Sequence, residues 1–191
     1  MRTVDAIKVM SGWDRQGMYL FDTNALALIL RETGDKLRAT IKRLMADGII
    51  RRVARDLYVY LLSRDVGANT IYDIALKLRQ GRYVCESFES AGAQWGFISQ
   101  IPTDRVTVAT TGRSGEFRTP YGVIEFTHVN RPALEIVEGI VDRKPYNPLP
   151  IASEKLALDD MLAAKGRCVE LIDWEMVEDG ARSTRPQSSF I

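Results

Sequence analysis

The chain has 191 residues, of which 46% are hydrophobic and 27% charged, with a formal net charge of +1. That is the balance of a soluble globular protein with enough apolar material for one large domain or two small ones. It opens Met1-Arg2-Thr3-Val4-Asp5 without the apolar run of a signal peptide, and no later stretch reaches the roughly eighteen apolar residues of a membrane span, so a cytoplasmic location is expected. Two cysteines, Cys85 and Cys168, and one histidine, His128, are too few for a zinc centre; no metal or cofactor is expected, and both thiols read as reduced, buried side chains.

The near-neutral total conceals a division. Residues 1–65 hold 12 Lys or Arg against 8 Asp or Glu, and the remainder hold 14 against 17. A basic first third on an otherwise acidic chain points to an anionic partner for that third alone.

Val4, Ile7 and Met10 recur at three-residue steps and predict a first helix, ended by Ser11-Gly12 before Trp13. A second helix starts after Asp22 or Thr23, either able to cap it, with Ala25, Leu26, Ile29 and Leu30 inward. Gly34 is expected to close this helix and Asp35 to cap the next, so that helix, glycine turn and helix make a helix-turn-helix. In the third helix, Asp35–Asp47, Leu37, Ile41 and Leu44 form one apolar face with Met45 beside it. The opposite face collects Asp35, Lys36, Ala39, Lys42 and Arg43, with Arg38 on its flank. A small residue at the centre of a basic face lets a helix approach the floor of the DNA major groove. Lys42 and Arg43 are expected to read bases near Ala39, and Lys36 and Arg38 to contact phosphates or flanking bases.

After Asp47-Gly48, Ile49–Ala54 and Leu57–Tyr60 read as two strands joined by a turn at Arg55-Asp56. Arg51, Arg52 and Arg55 stand on this hairpin, where they would hold the phosphate backbone. Residues 1–65 are thus expected to be a winged helix-turn-helix that binds double-stranded DNA.

Leu62–Gly67 is a polar connector. Residues 66–180 read as a second, mixed α+β domain with an antiparallel sheet. Its expected elements are a helix from Ile71 to Gln80 stopped by Gly81, a helix from Ser87 to Trp95 ended by Gly96, and a meander of strands Arg105–Thr111, Glu116–Thr119 and Val123–Val129. The loop Arg143–Pro150 leads to a helix capped by Ser153, and a last helix spans about Val169 to Val177 and ends at Gly180. Residues 181–191 read as a mobile tail.

Catalytic alternatives are thin. His128 lies on a strand with no nucleophile or acid at a motif spacing, and a histidine there is ordinarily structural. Glu154, Asp159 and Asp160, with His128, are the residues a metal-dependent nucleic-acid-processing enzyme would use, but a capped helix with a solvated acidic face is the plainer reading of the three acids. Gly112-Arg113-Ser114-Gly115 lacks the lysine of a phosphate loop and reads as a hairpin turn. A ligand-sensing site behind Phe88, Trp95 and Phe97 competes with their use as core. No enzyme is expected.

Several stretches together resemble the AbiE-type antitoxins, the regulator half of bacterial type IV toxin–antitoxin operons. The hairpin Ile50-Arg51-Arg52-Val53-Ala54-Arg55-Asp56-Leu57-Tyr58 is similar to that family's Ile-Arg-Arg-x-x-Arg-Gly-Leu-Tyr segment. Ser90-Ala91-Gly92-Ala93 with Trp95–Pro102, then Thr119–Phe126, then Ala152–Asp159 resemble its following elements in order, over about residues 20–175. The resemblance implies a winged-helix domain that binds inverted repeats upstream of its own operon and represses it. It also implies a C-terminal domain that contributes, indirectly, to neutralising a nucleotidyltransferase toxin encoded next door. Asp56 departs from the family's glycine; aspartate tolerates the left-handed turn, while its carboxylate weakens phosphate attraction.

Overall fold

The structure is a computed structural model that describes residues 1–99, 104–164 and 167–177. The chain divides into two compact units, Met1–Gln80 with Phe117–Val123, and Gly81–Glu116 with the residues from Ile124 onward. It is a mixed α+β protein, and among the described residues no helix is long and apolar enough to cross a membrane.

In the first unit, α1 (Thr3–Asp14) buries Ala6 and Met10. It runs through Ser11-Gly12, where the sequence predicted a stop; a single glycine costs a helix only about 1 kcal/mol, and the Ser11 hydroxyl is engaged with Tyr60 Oη at 2.8 Å. The reversal comes at Gly17, with φ of 81°. Next, β1 (Leu20–Asp22) leads into α2 (Thr23–Leu30), whose cap is as expected: the Asp22 carboxylate accepts from the Ala25 amide at 2.7 Å. Leu26 and Leu30 point inward.

The turn to the third helix differs from the expectation. Arg31 takes the left-handed conformation that ends α2, with φ of 52°, and Gly34 takes a second one, with φ of 57°, at the start of the next helix. Glu32, the successor of Arg31, is drawn into the core, where it is 4% exposed and accepts a hydrogen bond from Thr40 Oγ1 at 2.6 Å. Gly34 opens α3 (Gly34–Ala46), Thr33 occupies the cap position without a side-chain bond, and Asp35 falls within the first turn. Strands β2 (Ile50–Ala54) and β3 (Leu57–Tyr60) then form the expected hairpin, and β1 adds to β3 to give a three-stranded antiparallel sheet of order β1-β3-β2.

Helix α4 (Thr70–Leu78) belongs with this first unit, although the sequence set a boundary near residue 65. Ile71, Ile74 and Ala75 are buried, Tyr19 Oη donates to Asp73 Oδ2 at 2.5 Å, and Lys77 lies 3.8 Å from Asp22. These contacts tie α4 to the segment at β1.

The second unit carries β4 (Val84–Glu86), α5 (Phe88–Trp95), β5 (Arg105–Thr110), β6 (Gly115–Thr119), β7 (Gly122–His128), α6 (Ala133–Glu138), β8 (Ile140–Val141), β9 (Ile151–Ala152), α7 (Glu154–Ala163) and α8 (Arg167–Glu170); Phe117–Val123, in β6 and β7, cluster with the first unit. The sheet order is β6-β7-β5-β4-β9-β8. It is therefore not the antiparallel meander expected: β5 neighbours β7 and β4 rather than β6, and β4 pairs in parallel with β9. Short strands β4, β8 and β9 carry too few residues to show alternation. Ser153 caps α7 as expected, accepting from the Leu156 amide at 3.3 Å.

Helices α5 and α7 pack closely because Gly92 has no side chain; a Cβ there would lie 2.8 Å from Met161 Sδ. Phe88, Phe97, Cys85, Ile151 and Leu156 fill the core around them, and burial pushes the Cys85 thiol up to about 12. The side chain of Cys168, the end of the last helix at Gly180, the 181–191 tail and the Gln100–Pro102 motif lie outside the described residues.

Buried acids in this unit are paired. Asp160, 2% exposed, accepts from Arg131 Nη2 at 2.6 Å and Nε at 3.1 Å, and from Ser87 Oγ at 2.7 Å. Removing one partner strands a buried charge. Arg131→Ala is expected to lower the unfolding free energy by about 3 kcal/mol, measured by urea denaturation; a loss under about 1 kcal/mol would show that the pair behaves as an exposed one.

Candidate nucleic-acid interface

The rotation of α3 about its axis is set by what it buries. Leu37, Thr40, Ile41 and Leu44 face inward; the threonine belongs to this face because its hydroxyl satisfies Glu32. Burial alone would raise Glu32, but bonds from the Met1 ammonium and the Thr40 hydroxyl, with the charge of Lys36 at 3.9 Å, hold its carboxyl below the ordinary 4.5. With that side inward, Asp35, Ala39, Lys42 and Ala46 line the opposite one, at steps of four and three residues, and all are exposed.

Every residue singled out in the sequence is on the surface: Lys36, Arg38, Ala39, Lys42 and Arg43 on α3, and Arg51, Arg52 and Arg55 on the hairpin. Their side chains are held differently. The Arg43 guanidinium bonds the Met1 carbonyl oxygen and lies 3.5 Å from Thr40 Oγ1, which turns it toward the start of α1. Arg38 is paired with Asp35 through Nε, at 3.2 Å, and Nη2. Lys42 and Arg51 have no hydrogen bond or ion pair among the described residues.

On the hairpin, the strands pair Arg51 with Val59 and Arg52 with Tyr58, and the register shifts between Arg52 and Ala54. Such a bulge sharpens the local twist. Arg52 Nε donates back to the Ala54 carbonyl at 3.2 Å, and Val53 turns into the core. Asp56 sits at the tip with φ of 58°, the left-handed conformation expected where the related motif has glycine. Its carboxylate lies 3.6 Å from Arg55 Nε.

Of the alternative site residues, His128 and Asp160 have structural partners. His128 is exposed, and its Nδ1 is 2.8 Å from the Gly112 carbonyl oxygen while its amide donates to Ser114 Oγ. The ring and the Gly112–Gly115 segment thus brace one turn. Asp160 is consumed by Arg131 and Ser87, and among the described residues no group of three or more His, Cys, Asp or Glu is placed to hold a metal ion. Phe88 and Phe97 are core, whereas Trp95 is 38% exposed and donates through Nε1 to the Ala152 carbonyl at 2.8 Å.

The sequence reading missed Glu32 and Thr40, which set the angle of α3. A polar residue at a helical position between Leu37, Ile41 and Leu44 was the available signal. It also missed that Asp35 is a partner of Arg38.

No family model matches the chain, and no curated protein does. Among solved structures, it is similar in fold to the RV2827C protein from Mycobacterium tuberculosis, with a TM-score of 0.54 at 18% identity over 95% of this chain and 72% of that one.

The Glu32–Thr40 bond makes a pH-dependent prediction. Because the Glu32 value is lowered in the folded protein, its contribution is complete above the ordinary value of 4.5 and lost as pH falls through the lowered one. Thr40→Val is expected to cost about 1–2 kcal/mol at neutral pH and to move the onset of acid unfolding to higher pH. Urea titrations of both proteins between neutral and acidic pH measure this; coincident acid profiles would show that the bond does not hold Glu32 charged.

Proposed function

We propose that the first unit is a winged helix-turn-helix that binds double-stranded DNA, and that the protein represses transcription of its own operon. One observation carries this reading. The solvent face of α3 centres on Ala39 and Lys42 with Lys36 and Arg38 beside it, and the hairpin that follows exposes Arg51, Arg52 and Arg55. A small residue between cations suits entry into the major groove, and cations on an adjoining hairpin suit the phosphate backbone. The positive balance of residues 1–65 supports the same partner.

Within this reading Lys42 reaches base edges, and Arg51, Arg52 and Arg55 supply affinity that is independent of sequence. Arg43, turned toward Met1, contributes as a flanking charge. The resemblance of the hairpin and of three later stretches to AbiE-type antitoxins supports autoregulation, with inverted repeats as operator and an indirect part in neutralising a nucleotidyltransferase toxin. The second unit would then carry the antitoxin role.

A nuclease footprint on the DNA upstream of the gene, repeated at several salt concentrations, tests the proposal. Two protected half-sites about one helical turn apart are expected; uniform cleavage at every salt concentration would refute it. Arg52→Ala is expected to weaken specific and random duplexes alike and to flatten the salt dependence by about one ion. Lys42→Ala is expected to weaken the operator more than random DNA. Asp56→Gly, which keeps the left-handed turn and removes a negative charge beside Arg55, is expected to tighten both by about two- to fivefold, read by fluorescence anisotropy; weaker binding would mean that the carboxylate serves the interface.

A further inference from the structure

Two arginines flank the exposed stripe of α3, and the structure turns one of them away from it and the other toward it. Arg43 is carried away from the stripe by the Met1 carbonyl and Thr40. Arg38 stands about 60° around the helix from Asp35, and its pairing with that residue draws its guanidinium toward the stripe that Asp35, Ala39 and Lys42 share. Both members of this pair are exposed, at 75% for the arginine and 94% for the aspartate. An exposed pair of this kind contributes little to stability, so its consequence lies in where it points the guanidinium.

We propose, resting on the DNA-binding reading above, that Arg38 held by Asp35 is the residue that selects a guanine in the major groove. Arg38 spends Nε and one N–H of Nη2 on the Asp35 carboxylate. What remains is the outer edge, an N–H on Nη1 and one on Nη2, side by side in the plane of the group. Guanine offers two acceptors, O6 and N7, on its major-groove edge, and so takes both donors. Adenine replaces the first with a donor, and thymine offers one acceptor and a methyl group. Arg38 lies in the second turn of α3, near the end that a recognition helix inserts first.

Asp35 has two effects in this arrangement. It removes rotamer freedom from Arg38 before binding, so less is lost when guanine is engaged. It also repels phosphate, so its charge works against any DNA on which Arg38 finds no guanine. The two residues therefore set specificity as a unit, with Asp35 as the positioning residue.

Selection from a randomised duplex library with the full chain tests this. The unaltered protein is expected to enrich a motif with one guanine position preferred about tenfold or more over other bases. Arg38→Ala is expected to flatten that position while leaving the rest of the motif in place. Asp35→Ala is expected to reduce the guanine preference several-fold and at the same time to raise affinity for random DNA, opposite changes that a merely structural residue would not produce. Asp35→Asn, which keeps an acceptor oxygen without the charge, is expected to fall between. An unchanged guanine position in Arg38→Ala, or a loss spread evenly over all sequences, would overturn the proposal and leave DNA binding intact. Failure of the unaltered protein to bind any duplex at low salt would overturn the DNA-binding reading itself. Since both side chains are exposed, the variants are expected to melt as the unaltered protein does, which a thermal scan confirms beforehand.

Discussion

The burial of Leu37, Ile41 and Leu44, with Thr40 bonded to Glu32 between them, is the constraint on which the first unit depends. Hydrophobic burial is non-directional and would tolerate a range of helix rotations. A buried carboxylate is not tolerant: it must meet its donors, and one hydroxyl at 2.6 Å picks a single angle. Once that angle is set, the residues on the far side are determined, and Ala39 and Lys42 become the part of α3 that can meet a partner. The bond is made just after the left-handed turn at Arg31, which brings Glu32 into the core before α3 begins.

The second unit uses charge differently. Asp160 is joined to Arg131 and Ser87, and Glu86, 2% exposed, is joined to Arg143 at 2.5 Å and to Gln94 at 2.8 Å. Arg143 also donates to the Leu149 carbonyl and to Gln94. Buried pairs of this kind are poor sources of net stability, and they exact a large penalty when half of one is removed. They staple segments distant in sequence, the β4 strand to the Arg143–Pro150 loop and the entrance of α5 to α7. Of the carboxylates that look like catalytic candidates in the sequence, Asp160 is engaged in holding these segments together.

Local chemistry made much of the fold legible. The Asp22 and Ser153 caps, the Gly96 stop, the inward face of α3 and the left-handed Asp56 are each consequences of a few neighbouring residues. What the sequence concealed depends on residues far apart. Strand β1 has three residues and exists because β3 pairs with it; β4 and β9 are held in parallel across more than half the chain's second unit. Helix α4 was separable from the first unit only if the Tyr19–Asp73 bond was ignored. On α3 the exposed residues were readable from helical spacing, whereas the directions of Arg38 and Arg43 were not, because each depends on an acceptor supplied by its surroundings.

Lysine acetylation footprinting with and without a DNA duplex distinguishes α3 from the rest of the surface, because exposed lysines occur in both units. DNA is expected to protect Lys36 and Lys42 on α3 while Lys8, Lys144 and Lys155 react at unchanged rates. Equal reactivity at Lys36 and Lys42 with and without saturating duplex, or protection confined to Lys144 and Lys155, would contradict it.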